Sequence, residues 1–120
     1  MGNIKKILVV EDEKPMAKAL VLKLNHAGFE ATMANNGAEA IEILKKEKYD
    51  LMLLDLIMPR MDGFSVLEKV KENNIDVKIV VTSNLGQEED FAKAKELGAT
   101  DYFVKSDTSL SEIVDYVKKL

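Results

Sequence analysis

Five side chains in this sequence could act together on one negatively charged, oxygen-rich group: Glu11, Asp12, Asp55, Thr82 and Lys105. Glu11 and Asp12 follow the apolar run ILVV, Asp55 follows LMLL, Thr82 and then Ser83 follow IVV, and Lys105 follows YFV. Three carboxylates brought together repel one another, so either their proton affinities rise or a cation holds them. An all-oxygen donor set without His or Cys suits Mg²⁺, or the similar Mn²⁺. Such an ion keeps several waters and asks for one or two carboxylates plus phosphate oxygens. Thr82 adds a hydroxyl donor and Lys105 a point charge, and both suit a phosphoryl oxygen. In that company Asp55 reads as a nucleophile that attacks phosphorus in line while metal and lysine neutralise the developing charge.

Taken singly, each residue has a plainer reading. Asp55 would be a strand-end or turn residue, Glu11 and Asp12 a solvated pair at a helix start, Lys105 a surface charge and Thr82 a β-former. Their occurrence at four separate strand ends is what points to a site. His26 reads as a helix C-terminal residue with no partner in sight. Most methionines read as core filler and LKKEKYD as a solvated helix end.

The elements that must position these residues are short apolar runs alternating with longer amphipathic segments. The runs are Ile7 to Val10, a weaker one at Glu30 to Met33, Leu51 to Leu54, Ile79 to Val81 and Tyr102 to Val104. The first helix is expected to end near Ala27 before Gly28, and the second to start at Asn36 with Glu39 three residues on. The third spans roughly Gly63 to Asn73. The fourth, Gln87 to Leu97, carries only Phe91, Ala94 and Leu97 as an apolar stripe and should be the most loosely held. The last places Leu110, Ile113, Val114, Val117 and Leu120 on one face behind a Ser109/Glu112 capping box. Five such units imply an α/β domain, a doubly wound five-stranded parallel sheet with helices on both faces. With strand order 2-1-3-4-5, the first and third strands adjoin at the switch point, where ligands bind beyond the carboxyl ends of strands. The three carboxylates then converge there.

Length and composition agree with one domain. The chain has 120 residues, 47% hydrophobic and 32% charged, with two prolines and six glycines, as in an ordinary globular fold. No cysteine means no disulfide framework and no thiolate metal site. The apolar segment after Lys5 and Lys6 is far too short to span a bilayer and runs directly into acidic residues, which argues against a signal peptide and membrane insertion. Seventeen basic against 21 acidic residues, a formal charge of −4, oppose direct nucleic-acid binding.

The motifs ILVVEDE, LLDLIMPRMDG, IVVTS and GATDYFVKS occur in that order over nearly the whole chain. With them the sequence resembles the receiver domain of two-component response regulators, similar to the single-domain chemotaxis regulator. The resemblance implies a flavodoxin-like fold and a single receiver domain over residues 1–120 with no output domain. It implies a cytoplasmic phosphoprotein of signal transduction or phosphorelay, not an enzyme, in which Asp55 accepts a phosphoryl group from a histidine kinase or phosphotransfer protein. It further implies that Glu11, Asp12, Asp55 and the backbone carbonyl of Ile57 hold Mg²⁺, and that Thr82 and Lys105 grip the phosphoryl oxygens. Tyr102 corresponds to the aromatic switch that turns inward as Thr82 moves. A downstream protein would then read the surface of the fourth helix, fifth strand and fifth helix, and a homodimer on phosphorylation is compatible with that surface. Ile57 and Asn84 border the path of the water that hydrolyses the phosphoryl group. Ile57 cannot orient water and Asn84 is no strong base, so slow self-dephosphorylation is expected.

Two positions vary from the family pattern. Glu11 stands where Asp is also frequent, one methylene longer. Ser106 replaces the usual proline after the lysine, and because a cis bond to a non-proline costs about 3 to 4 kcal/mol, a trans bond is expected. A flavin electron carrier would share the fold, but Glu11 and Asp12 would repel its phosphate. A haloacid-dehalogenase-like hydrolase needs a second Asp two residues after the nucleophile, where Ile57 stands.

Overall fold

Apolar runs without polar alternation belong in strands covered on both faces, and three such runs form the middle of the sheet. The computed structural model describes residues 4–58 and 61–120. Pro59 and Arg60 of the LLDLIMPRMDG stretch, and residues 1–3, lie outside the described residues. The strands are β1 (Lys6–Val10), β2 (Glu30–Ala34), β3 (Leu51–Leu54), β4 (Lys78–Ser83) and β5 (Asp101–Val104). The helices are α1 (Lys14–His26), α2 (Gly37–Lys46), α3 (Gly63–Glu72), α4 (Glu88–Glu96) and α5 (Leu110–Lys118), and a short 3₁₀ turn covers Lys105–Asp107. All pairings are parallel and the order is β2-β1-β3-β4-β5, as the alternation of elements predicts.

Alternate residues of the central strands feed two separate cores. Leu8, Val10, Met52, Leu54 and Val81 pack with Ala40, Leu44, Val66, Leu67 and Ala94 of α2, α3 and α4. Ile7, Val9, Leu51, Leu53 and Val80 pack with Leu20, Leu24, Ile113 and Val117 of α1 and α5. The register then fixes the site. Val10 pairs with Leu54 and Leu54 with Val81, so the next residues, Glu11, Asp55 and Thr82, leave one sheet edge at the same level. Ser83 pairs with Val104, which brings Lys105 to that edge from β5.

Local signals set most helix ends. Gly28 takes φ +102° after α1, where a side chain would be strained. The Asn36 side chain accepts from the Glu39 N–H at 2.9 Å, and the Ser109/Glu112 box closes reciprocally at 3.1 and 3.0 Å. At α3 the cap is Asp62, which accepts from the Ser65 N–H at 2.9 Å. Only Ala94 of α4 is buried, in line with its thin stripe. Most bounds fall within a residue of expectation, but β4 continues through Thr82 and Ser83 instead of stopping at Val81. Both polar residues are buried, because the ladder to Phe103 and Val104 continues past the apolar run.

Gly63 lets the start of α3 come close to Asp55 and Leu56. A Cβ there would lie 2.5 Å from the Asp55 carbonyl oxygen and 2.6 Å from the Leu56 Cα, both backbone atoms. The Gly63 N–H also donates to the Leu56 carbonyl at 2.9 Å. Neither neighbour can rotate away, so Gly63→Ala must displace the chain that carries Asp55. We expect a loss of about 1 to 3 kcal/mol in urea unfolding, the usual cost of overpacking; an unchanged midpoint would mean that this approach is not needed.

Candidate functional site

Glu11, Asp12 and Asp55 each offer a carboxylate oxygen, and these oxygens lie within 4.8 Å of one another. Glu11 and Asp55 are only 4% exposed. Their backbones are fixed from the sheet: the Glu11 N–H donates to the Ala34 carbonyl at 3.3 Å and the Asp55 N–H to the Val10 carbonyl at 3.0 Å. Two further N–H groups aim at the carboxylates. Glu13 donates to Glu11 Oε2 and Ile57 to Asp55 Oδ1, each at 3.2 Å.

The cation that holds this cluster is Lys105. Its ammonium donates to Glu11 Oε1 and lies 3.3 Å from Asp55 Oδ2, with the lysine side chain 8% exposed. Burial, with the Asp55 charge adding to it, pushes the Glu11 carboxyl above its ordinary value although Lys105 pulls the other way. Burial acts against the Lys105 charge, yet the hydrogen bond from Glu11 and the charges of Asp55 and Glu11 outweigh it and hold the ammonium above its ordinary value. The lysine is therefore fully charged at neutral pH and shared between two carboxylates.

Asp12, Glu13, Asp55, Ile57, Asn84 and Lys105 line an open cleft of ≈ 250 Å³ over the cluster. Thr82, 5% exposed, lines a smaller space of ≈ 30 Å³ beside it with Glu11, Lys105, Met16 and Ile113. The structure thus brings Glu11, Asp12, Asp55 and Lys105 together, with Thr82 adjoining and Ile57 and Asn84 at the mouth. Ile57 is 54% exposed, so its side chain stands over the opening rather than in the core. Tyr102 sits apart: its hydroxyl donates to the Leu85 carbonyl at 2.6 Å, and its ring meets Phe91 edge-on, 4.6 Å between centroids. Burial raises the affinity of that hydroxyl for its proton.

Three features were not anticipated from the sequence. Lys105 engages Glu11, whose extra methylene relative to Asp is the one signal that could have suggested it. Ser106 donates its backbone N–H to Asn84 Oδ1 at 3.1 Å, a bond that a proline could not make. Phe91 of α4 packs on Tyr102. The described residues include no cis peptide bond, and Lys105–Ser106 is trans as its cost predicts.

Residues 7–118 match the family described as response regulator receiver domain. The chain belongs to this family. It is similar to the sporulation initiation phosphotransferase F of Bacillus subtilis, 35% identical over 114 residues that cover 95% of this chain and 91% of that protein. It is also 40% identical over 100 residues to a probable transcriptional regulator, ycf27, of Porphyra purpurea, covering 83% of this chain but 41% of that one. The chain therefore spans about two fifths of the length of such regulators. Among solved structures, a Francisella response regulator receiver domain superposes with a TM-score of 0.89 at 30% identity, covering 96% of this chain and 94% of that one. The response regulator TrrA of Thermotoga maritima, solved in complex with Mg²⁺-BeF, gives 0.83 at 32% identity, covering 97% and 98%. Receivers are signalling regulators and not conventional enzymes. No helix among the described residues of this receiver is long and apolar enough to cross a membrane.

The receiver's dependence on Lys105 is testable without any ligand. Lys105→Met keeps most of the stem but leaves two buried carboxylates facing each other. We expect about 3 kcal/mol lost at neutral pH, the lower range for breaking a buried ion pair. The deficit should shrink as pH falls, because protonating a carboxylate removes the repulsion. Urea unfolding at pH 7 and pH 4.5 measures this, and a deficit equal at both pH values would contradict it.

Proposed function

We propose that this receiver is a signalling switch in which Asp55 takes a phosphoryl group from a histidine kinase or phosphotransfer protein in a Mg²⁺-dependent reaction. The observation that carries the reading is the convergence of Glu11, Asp12, Asp55 and Lys105 at one sheet edge, with Asp55 opening to the cleft. The donor set is all oxygen, lacks His and Cys, and has three carboxylates within reach of one ion, which fits Mg²⁺ or Mn²⁺. Glu11, Asp12, Asp55 and the Ile57 backbone carbonyl would hold it. The ion supplies neutralisation of charge on the transferring group. The Mg²⁺-BeF complex of the related Thermotoga maritima regulator supports the same reading here.

In the transfer, an Asp55 carboxylate oxygen forms the new bond to phosphorus as the bond from phosphorus to the donor's imidazole nitrogen breaks. The electron pair leaves with the imidazole. Lys105, already 3.3 Å from Asp55, turns its ammonium from Glu11 toward the phosphoryl oxygens, and Thr82 donates its hydroxyl to another. Ile57 and Asn84 then set a slow self-dephosphorylation. Tyr102 passes the change on: its hydroxyl holds Leu85 in the β4–α4 connection and its ring holds Phe91. With only Ala94 buried, α4 can shift at small cost, so the α4-β5-α5 face presents the signal to a downstream protein or to a second copy of the chain. Residues 1–120 work as one receiver unit in the cytoplasm, and the net charge of −4 opposes direct contact with nucleic acid.

Incubation with acetyl phosphate and Mg²⁺ should add one phosphoryl group by intact mass, and Asp55→Asn should add none. Chelation should abolish the addition. A phosphoryl group retained by the Asn variant would reject Asp55 as the acceptor.

A further inference from the structure

The chain flanking Lys105 grips the connection between β4 and α4 from two sides. Before the lysine, the Tyr102 hydroxyl donates to the Leu85 carbonyl at 2.6 Å; after it, the Ser106 N–H donates to Asn84 Oδ1 at 3.1 Å. The second bond decides how Asn84 faces the cleft. A side-chain amide can be turned either way, with its oxygen and nitrogen exchanged, and only its partners distinguish the two. A backbone N–H can only donate, so it must meet the amide oxygen. Asn84 lines the cleft with Asp12, Asp55, Ile57 and Lys105. The bond to Ser106 takes one of the two lone pairs of Oδ1 and fixes which end of the amide is oxygen, so the NH₂, a donor with no capacity to accept, is held at the other end.

We propose that Ser106, through its backbone N–H, is a positioning residue that turns the Asn84 oxygen toward itself, so that the amide presents its NH₂ to the cleft. The inference rests on the proposed phosphoryl chemistry at Asp55 and adds a control on its lifetime. An NH₂ group can donate to a phosphoryl oxygen, or to the lone pair that a water would use for attack. It cannot take up the proton that attacking water must lose. Hydrolysis of the aspartyl phosphate breaks the bond from phosphorus to the Asp55 oxygen and forms one to water oxygen, and the released proton passes to solvent. Asn84 held by Ser106 keeps its acceptor oxygen turned toward Ser106 and not toward that water, which extends the phosphorylated state. A proline at 106 would have no N–H, and the amide would be free to turn its oxygen toward the cleft. The bond also ties the residue after Lys105 to the connection leading into α4, so the lysine cannot move far without moving Asn84.

Two measurements test this. In the unphosphorylated protein, the Ser106 amide proton should shift upfield and exchange faster with water in Asn84→Ala, while Ser106→Ala, which keeps the N–H, should leave that exchange slow. An unchanged Ser106 amide in Asn84→Ala overturns the positioning bond whether or not Asp55 is phosphorylated. The second measurement follows loss of phosphorylated mass at fixed Mg²⁺. Ser106→Pro should decay about fivefold faster than the parent, the factor that one ordinary hydrogen bond supplies. In an Asn84→Ala background the same change should have no effect. Acceleration that persists without the Asn84 side chain, or no acceleration at all, overturns the proposal. Failure of every variant and the parent to take up phosphoryl would instead reject the reading of Asp55, leaving the amide measurement to decide the bond.

Discussion

Three carboxylates at one sheet edge, two of them buried, stay charged together only where a positive charge is shared among them. In this structure the charge is the Lys105 ammonium, paired with Glu11 and Asp55. Much of the molecule serves that constraint. The parallel register levels Val10, Leu54 and Val81 so that Glu11, Asp55 and Thr82 emerge side by side, and β5 delivers the lysine from the far strand. Gly63 lets α3 close against the Asp55 loop, where any side chain would push it out of line.

The same constraint would let the proposed site act as a switch. A single lysine serving two carboxylates is a replaceable partner: a divalent ion can satisfy the carboxylates, and a phosphoryl group can satisfy the lysine. In the proposed exchange Lys105 would move, and the two residues gripping the connection into α4, Tyr102 and Ser106, lie within three positions of it. α4 has the fewest buried residues of the described helices, Ala94 alone, so it is where such a movement costs least. Strong burial in the two cores would keep the rest of the sheet fixed during such a rearrangement.

Most of this architecture was legible in the sequence because it rests on local patterns. Unalternating runs at Ile7, Leu51 and Ile79 announced strands covered on both faces, and Ser109 with Glu112 announced the start of α5. The extension of β4 through Thr82 and Ser83 was not legible. Polarity marks a strand end in sequence, whereas ladder bonds to β5 carry these residues into the sheet. At the site, residue types at strand ends pointed to Glu11, Asp12, Asp55, Thr82 and Lys105. Which partner each would choose depended on distances that sequence does not carry. Lys105 pairs with Glu11, 94 residues away, a contact set by the fold and not by any local pattern. The bond from Ser106 to Asn84 spans 22 residues and uses a backbone N–H, a group that leaves no mark in a pattern of side chains except the absence of proline.

The central claim is that Lys105 holds the carboxylates in the place a divalent cation would take, so that lysine and metal compete for them. Calorimetric titration with Mg²⁺ of the parent protein and of Lys105→Met, at neutral pH and equal ionic strength, tests it most directly. Tighter Mg²⁺ binding is expected in the variant, because the competing ammonium is gone and the carboxylates are left uncompensated. Equal or weaker binding in a folded Lys105→Met protein would contradict it.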